Sequence, residues 1–205
     1  MSLLELIAAA DERALVASGI ACLDRCLPQP AEGADPDPLR PLWAGCANGD
    51  EWPDRLAEAR AALNDVPSGV DGPVPAIRKL LGEAPAERTD PGLRAWADAC
   101  SLLALEVHLG QDATPGAGDD LLRRCREDGP TGAGPLVAGE VRRQIRILEM
   151  LAETAGASRA GAGLRQVLEV STEGQRVLRA ATSRRARAGV IEPVRATECP
   201  THSRS

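Results

Sequence analysis

Three groups of side chains have the residue types and spacing to do chemistry, and the first is a set of cysteines. Cys22 and Cys26 are four positions apart, and Cys46 follows twenty residues later. Two thiolates one helical turn apart can share a metal ion or form a redox-sensing pair. However, the nearby chain supplies no histidine and lacks the doubled CxxC spacing of zinc sites. The pattern therefore favours reduced thiols that pack in a core.

The second group is Ser101 and His108, which fall on the same band of a predicted helix. A serine and a histidine can act as nucleophile and general base. Two helical turns separate their Cα atoms by about 10 Å, which is too far for a direct hydrogen bond along a straight helix. No G-x-S-x-G turn surrounds Ser101. The spacing therefore predicts a polar strip on a helix and not a catalytic pair.

The third group is a set of arginines towards the C-terminal end. Residues 140–187 carry a net charge of +5, whereas residues 1–139 carry −11 and the whole chain −6. Such a cluster can bind an acidic protein surface or nucleic acid, lie in solvent, or pair with the acidic part of the same chain. Nucleic acid is disfavoured because no aromatic residue is interleaved and the pI is about 5.1. The candidate partner-binding residues are Arg142, Arg143, Arg146, Arg176, Arg179, Arg184, Arg185 and Arg187.

No recognised catalytic, cofactor or metal motif accompanies these groups. The glycine-rich stretches lack the Lys-Ser/Thr of a phosphate loop, and there is neither an H-E-x-x-H sequence nor an EF-hand loop. We therefore expect no cofactor and no metal. The sequence favours a non-catalytic interaction or regulatory (adaptor) protein that acts through protein–protein contacts. The alternatives are a helical enzyme or small-ligand-binding protein whose site is assembled from scattered residues, and a weak nucleic-acid binder that uses the arginine-rich hairpin.

The elements that would position these groups are predicted to be helices. The chain has no Phe, no Tyr and three Trp, so its core must be aliphatic, and runs of β-branched or aromatic residues are scarce. The sequence predicts an all-α bundle of six to eight helices. Its centre is the helix from Asp90 to Gly110, with Asp90 as N-cap, because apolar residues lie on two sides of it. One stripe comprises Leu93, Trp96, Ala97, Cys100, Leu103, Ala104 and Val107, and the other Leu102, Leu105 and Leu109.

The remaining segments are placed by their capping residues and breakers. Ser2 and Glu5 have capping-box spacing and open a helix towards Leu27, with a possible break near Gly19. An extended connection is predicted from Pro28 to Pro41. We expect a helical domain over residues 1–134, a C-terminal αα-hairpin over 135–188 and a disordered tail over 189–205. Alanine spacing in residues 54–67 is that of a tetratricopeptide second helix, but no constant period follows, so a short solenoid stays the alternative to a bundle.

The sequence also supports predictions of the cellular compartment and of the binding partner. Residues 1–16 lack the basic start of a signal peptide, and no stretch of 18 uncharged apolar residues occurs, so a cytoplasmic protein is expected. Arginine outnumbers lysine 23 to 1, which is typical of a high-GC bacterial genome. The partner is expected to be another protein, or a second copy in a homodimer through the C-terminal helices.

Overall fold

The protein is all-α within the ranges described by the computed structural model, which are residues 1–28, 37–47, 49–67, 72–89, 91–112, 118–155 and 160–190. These ranges contain nine α-helices, a short 3-10 helix and no strand, against six to eight helices expected. The helices are α1 (Leu3–Ala9), α2 (Glu12–Cys26), α3 (Arg40–Ala47), α4 (Trp52–Asn64), α5 (Val74–Glu83), α6 (Gly92–Gln111), α7 (Gly118–Asp128), α8 (Pro135–Glu153) and α9 (Ala160–Val190).

The helices beyond the expected number arise near the N-terminal end. Ser2 and Glu5 form the predicted capping box, but α1 ends at Ala9 because the Asp11 carboxylate accepts from the Ala14 N–H and starts α2. The chain is therefore broken at Ala10 and not near Gly19. The predicted extended connection is also too long, since α3 begins at Arg40 and buries Leu42 completely.

Helix α6 lies at the centre, as predicted, and packs against α1, α2, α5, α7, α8 and α9. One side of it, including Trp96 and Cys100, belongs to the main core, and Leu105 on the other side belongs to a second core shared with α7 and α8. The predicted N-cap Asp90 lies outside the described residues. Since α9 packs on α2 and α8 on α1, helices distant in sequence are in contact, as in a bundle and unlike a linear solenoid.

A close approach of α2 to α6 explains the glycine inside α2. A Cβ on Gly19 would lie 2.7 Å from the Trp96 ring, so glycine permits this contact instead of breaking the helix. Trp96 meets Trp52 edge to face, with ring centroids 6.3 Å apart. The two indole N–H groups donate to the carbonyls of Leu80 and Pro85, each at 2.9 Å.

Helices α8 and α9 run antiparallel and pack on the rest of the bundle. Gly174 lies beside Arg143, and Gly163 beside Thr154, which fixes the register of the two helices. Leu148 and Val167 both lie in the main core. Helical spacing predicts inward positions in α9 for Leu164, Val167, Leu168 and Leu178. The prediction is wrong for Leu168, which is 37% exposed, and Val170 is buried instead.

The ends of the predicted hairpin differ slightly from the observed ones. Helix α9 continues to Val190, so the first two residues of the predicted tail, 189 and 190, are helical. The turn at 156–159 and the tail from 191 to 205 lie outside the described residues. At the other end, the Asp112 carboxylate accepts from the N–H groups of Leu136 and Val137 at 3.1 Å and so caps α8 from the end of α6. In the described ranges we find no helix that is both long and apolar enough to cross a membrane.

Candidate functional site

Most of the predicted arginines of α8 and α9 are exposed cations with no counter-ion among the described residues. Across the described ranges, five of the eight form neither a hydrogen bond nor an ion pair, although the acidic part of the chain is folded against the same bundle. Pairing with that acidic part therefore does not account for them. These five are Arg142, Arg146, Arg176, Arg184 and Arg187.

The other three predicted arginines are engaged. Arg143 pairs with the buried carboxylate of Glu140 at 3.3 Å, with its side chain 16% exposed. Arg179 donates to the side chain of Gln175. Arg185 donates to the carbonyl of Gly110 at the end of α6. We therefore restrict the candidate surface to the five unpaired arginines and call it the arginine face.

Charge along the hairpin is graded from one end to the other. Exposed acids lie on the half of the hairpin nearest its turn, where Glu149, Glu153, Glu169 and Glu173 accompany Arg165. The opposite half of α9, from residue 174 to 190, contains five arginines and no acid. At 1.5 Å per residue, Arg176 and Arg187 are about 16 Å apart along the helix axis. Arg184 and Arg187 thus lie towards the end of the hairpin far from its turn, whereas Arg146 and Arg176 lie near the middle of their helices.

The surface offers little apolar area for binding. Among the described residues, the only large hydrophobic side chains classed as exposed are Met1 and Leu168. The inner faces of α8 and α9 are covered by the rest of the chain. Binding through this hairpin would therefore depend on charge and hydrogen bonding and not on an apolar groove.

A buried polar cluster lies behind the arginine face, and the sequence did not reveal it. Arg25 of α2 donates to Glu140 of α8 through Nε and Nη2, with the shortest contact 2.5 Å, and both side chains are fully buried. The side chain of Gln144 donates to Glu140 at 3.0 Å. The available signal was a glutamate between Val137 and Val141 on the apolar face of α8, because a charge on such a face requires a partner.

His108 and Ser101 both join this cluster but do not contact each other. His108 Nδ1 lies 2.6 Å from the carbonyl of Ala104, and Nε2 lies 3.5 Å from Glu140. Ser101 donates instead to Gln144 at 2.6 Å. The expectation that they form no catalytic pair agrees with this geometry. The adjoining void measures about 10 Å³, roughly one water molecule, which leaves no room for a substrate.

Burial and pairing shift the pKa values of these groups in opposite directions. Burial disfavours the charged Glu140, but Arg25 and then His108 outweigh it, and its pKa falls to about 2. Burial lowers the pKa of His108. On the α9 side, Asp24 accepts from the Ser171 hydroxyl at 2.7 Å, and burial raises its pKa to about 6. The cluster therefore holds the Arg25–Glu140 ion pair, and the pKa of the nearby Asp24 lies at about 6.

The cysteines behave as core residues. Cys22, Cys26 and Cys46 are at most 3% exposed, and burial raises the pKa of Cys22 and of Cys46 to about 12. The thiols are therefore enclosed and protonated, which agrees with core packing, whereas a redox-sensing pair needs exposed thiols with a lowered pKa. Within the described ranges, no group of three or more His, Cys, Asp or Glu residues has metal-binding geometry.

Comparison with known proteins adds no assignment. The chain matches no protein-family model, no curated protein and no solved structure.

Proposed function

We propose that this protein is a non-catalytic helical adaptor or regulator that binds an acidic surface of another protein through the arginine face. The observation that carries the proposal is the set of five exposed arginines on α8 and α9 that have no counter-ion among the described residues. Arginine forms paired hydrogen bonds with carboxylates, so an acidic protein surface matches these side chains in charge and geometry.

The acidic character of the rest of the chain favours a protein partner over nucleic acid. Phosphate backbones would be repelled by a chain of net charge −6 wherever they extend past the arginines. In addition, the arginine face carries no aromatic side chain on which a base could stack. A compact acidic patch on a folded protein does not extend past the arginines and does not need an aromatic side chain for stacking.

A homodimer through this surface would be of a restricted kind. A two-fold symmetric contact places the same patch of both copies together, which would bring arginines against arginines. The inner faces of α8 and α9 are already covered within the chain. A second copy would therefore have to bind head to tail, through its acidic half, and a different partner protein is the simpler occupant.

We place this activity in the cytoplasm. The free buried cysteines suit a reducing compartment.

The test is affinity purification of the tagged full-length protein from its native host, followed by chemical crosslinking and mass spectrometry. We expect one stoichiometric protein partner, with crosslinks that map its acidic residues close to Arg176. Arg176→Glu should abolish capture, whereas Arg165→Glu, an exposed unpaired arginine on the acid-containing half of α9, should leave it intact. Capture that survives Arg176→Glu, or a purified protein that carries only nucleic acid, would contradict the proposal.

A further inference from the structure

The Arg88 guanidinium is almost completely buried and lacks a close acceptor among the described residues. The side chain of Arg88 is only 9% exposed. In the described part of the chain its contacts are two long ones, from Nη1 to the carbonyl of Gly45 at 3.5 Å and from Nη2 to Glu12 at 3.8 Å. Its Nε is buried and has no hydrogen-bond partner there. Such a cation is costly, and proteins normally place an acceptor or a bound ion beside it.

Arg88 lines a surface cleft between the beginnings of α2 and α6. The cleft has a volume of about 310 Å³, which lies at the lower end of the range for small-molecule sites, about 300 to 1,000 Å³. Thr89 contributes a hydroxyl group, and Leu15 and Leu93 contribute apolar surface. The buried cation therefore lies beside a space that a small molecule could fill.

A second guanidinium lies on the same cleft. Arg94 donates from Nε to the carbonyl of Ile7 at 3.3 Å and from Nη2 to that of Ala10 at 3.2 Å, which fixes its position at the end of α1. Its Nη1 makes no hydrogen bond within the described residues. Among the described residues, the cleft thus presents two cations, Arg88 and Arg94, against one carboxylate, that of Glu12.

We propose that this cleft is a binding site for a small organic anion. The carboxylate or phosphate group of the ligand accepts hydrogen bonds from Arg88 and Arg94, and its apolar part lies on Leu15 and Leu93. The positive end of α6, which begins at Gly92, adds a favourable potential. Glu12 opposes the ligand, because its carboxylate lies on the same cleft. The site is separate from the arginine face and does not depend on the proposed adaptor function.

The test is a titration of the full-length protein with inorganic phosphate and, separately, with butyrate, at constant ionic strength set by chloride. Binding is followed by the amide signals of Thr89 and Leu93 in two-dimensional NMR spectra. We expect saturable shifts with at least one of the two anions, and the stronger binder distinguishes phosphate from carboxylate ligands. Arg88→Met should weaken that binding about tenfold or more, because it removes the buried charged donor.

Two further variants separate binding from folding. Arg60→Met is the matched control, since Arg60 also donates to carbonyls at a helix end, those of Leu81, Gly82 and Ala84, but does not line the cleft. It should leave the titration unchanged. Glu12→Gln should tighten binding about threefold, because an opposing charge is removed. Shifts that do not saturate with either anion, or a Glu12→Gln variant that binds more weakly than the wild type, would overturn the proposal even if Arg88→Met fails to fold.

Discussion

Arg25 and Glu140 lie 115 positions apart in the chain, and their side chains meet 2.5 Å apart in the interior with no exposure to solvent. The pair joins α2 to α8, and α9 covers it at Gly174. In an aliphatic core whose side chains can pack in several ways, one buried ion pair distinguishes the native arrangement, because any other arrangement leaves a charge without a partner. We interpret this pair as the contact that fixes α8, and with it the position of the arginine face.

Removal of one member of the pair should destabilise the protein more than removal of both. Arg25→Met or Glu140→Leu each leaves its partner without a match in the core, and should lower the free energy of unfolding by about 3 to 5 kcal/mol. The double variant Arg25→Met/Glu140→Leu should lose less than the sum of the two single changes. Urea unfolding measured for the full cycle tests this. Additive losses would show that the two residues are not coupled.

Stability should depend on pH in two opposite ways. The pKa of Glu140 is lowered from 4.5 to about 2, so its contribution is complete above pH 4.5 and is lost as the pH falls towards 2. The pKa of Asp24 is raised from 3.8 to about 6, so its contribution is complete below pH 3.8 and is lost as the pH rises through 6. Asp24→Asn should therefore flatten the decline in stability between pH 4 and 6. An unchanged slope in urea unfolding across this range would contradict the assignment.

Two glycines of α9 should respond to alanine in opposite directions. A Cβ on Gly174 would lie 2.4 Å from Cδ of the buried Arg25, so Gly174→Ala must displace that side chain and should cost about 1 to 3 kcal/mol. Gly161 has open space around it, and Gly161→Ala should stabilise the helix by up to about 1 kcal/mol. Thermal unfolding of both variants measures the difference. A Gly174→Ala protein as stable as the wild type would place Arg25 elsewhere.

The enclosed thiols should be unreactive in the folded protein. Cys199 lies outside the described residues, so the experiment uses a Cys199→Ser background. With Ellman's reagent at pH 8, the five remaining cysteines should react orders of magnitude more slowly than in urea, because reaction requires opening of the core. The reaction rates of Cys22 and Cys26 should not differ from that of Cys100. Rapid modification of Cys22 or Cys26 alone would contradict core packing and support the interpretation of these two residues as a redox-sensing pair.

Local signals in the sequence were enough to predict much of the fold. The capping box at Ser2 and the two apolar sides of α6 depend on interactions within one or two turns, so they can be recognised from spacing alone. Asp11 has the side chain of an N-cap and could have predicted the start of α2. Because apolar residues continue on both sides of it, the sequence suggested one continuous helix instead. Helix α3 follows a proline-rich stretch that carries no helical periodicity.

The buried cluster could not be assembled in the same way. Helical spacing shows that Glu140 lies on an apolar face, but it contains no information about which distant cation meets it. The same limit applies to Gly174. From the sequence alone it is a residue that lowers helix propensity, and only the structure shows that it packs against Arg25. For the arginine face, the sequence supplied the residues, and the structure separated the five unpaired arginines from Arg143, Arg179 and Arg185.

The most direct test of the central proposal is the affinity of the purified partner for two charge-matched variants, measured by isothermal titration calorimetry. Arg142→Glu/Arg146→Glu reverses two unpaired arginines of α8, and Arg123→Glu/Arg124→Glu reverses two exposed arginines of α7 that are paired with acids of their own helix. We predict that the first variant raises the Kd at least about tenfold and the second changes it by less than about twofold. Equal losses in the two variants would mean that only net charge matters, and an unchanged Kd in the first would show that the arginine face does not bind the partner.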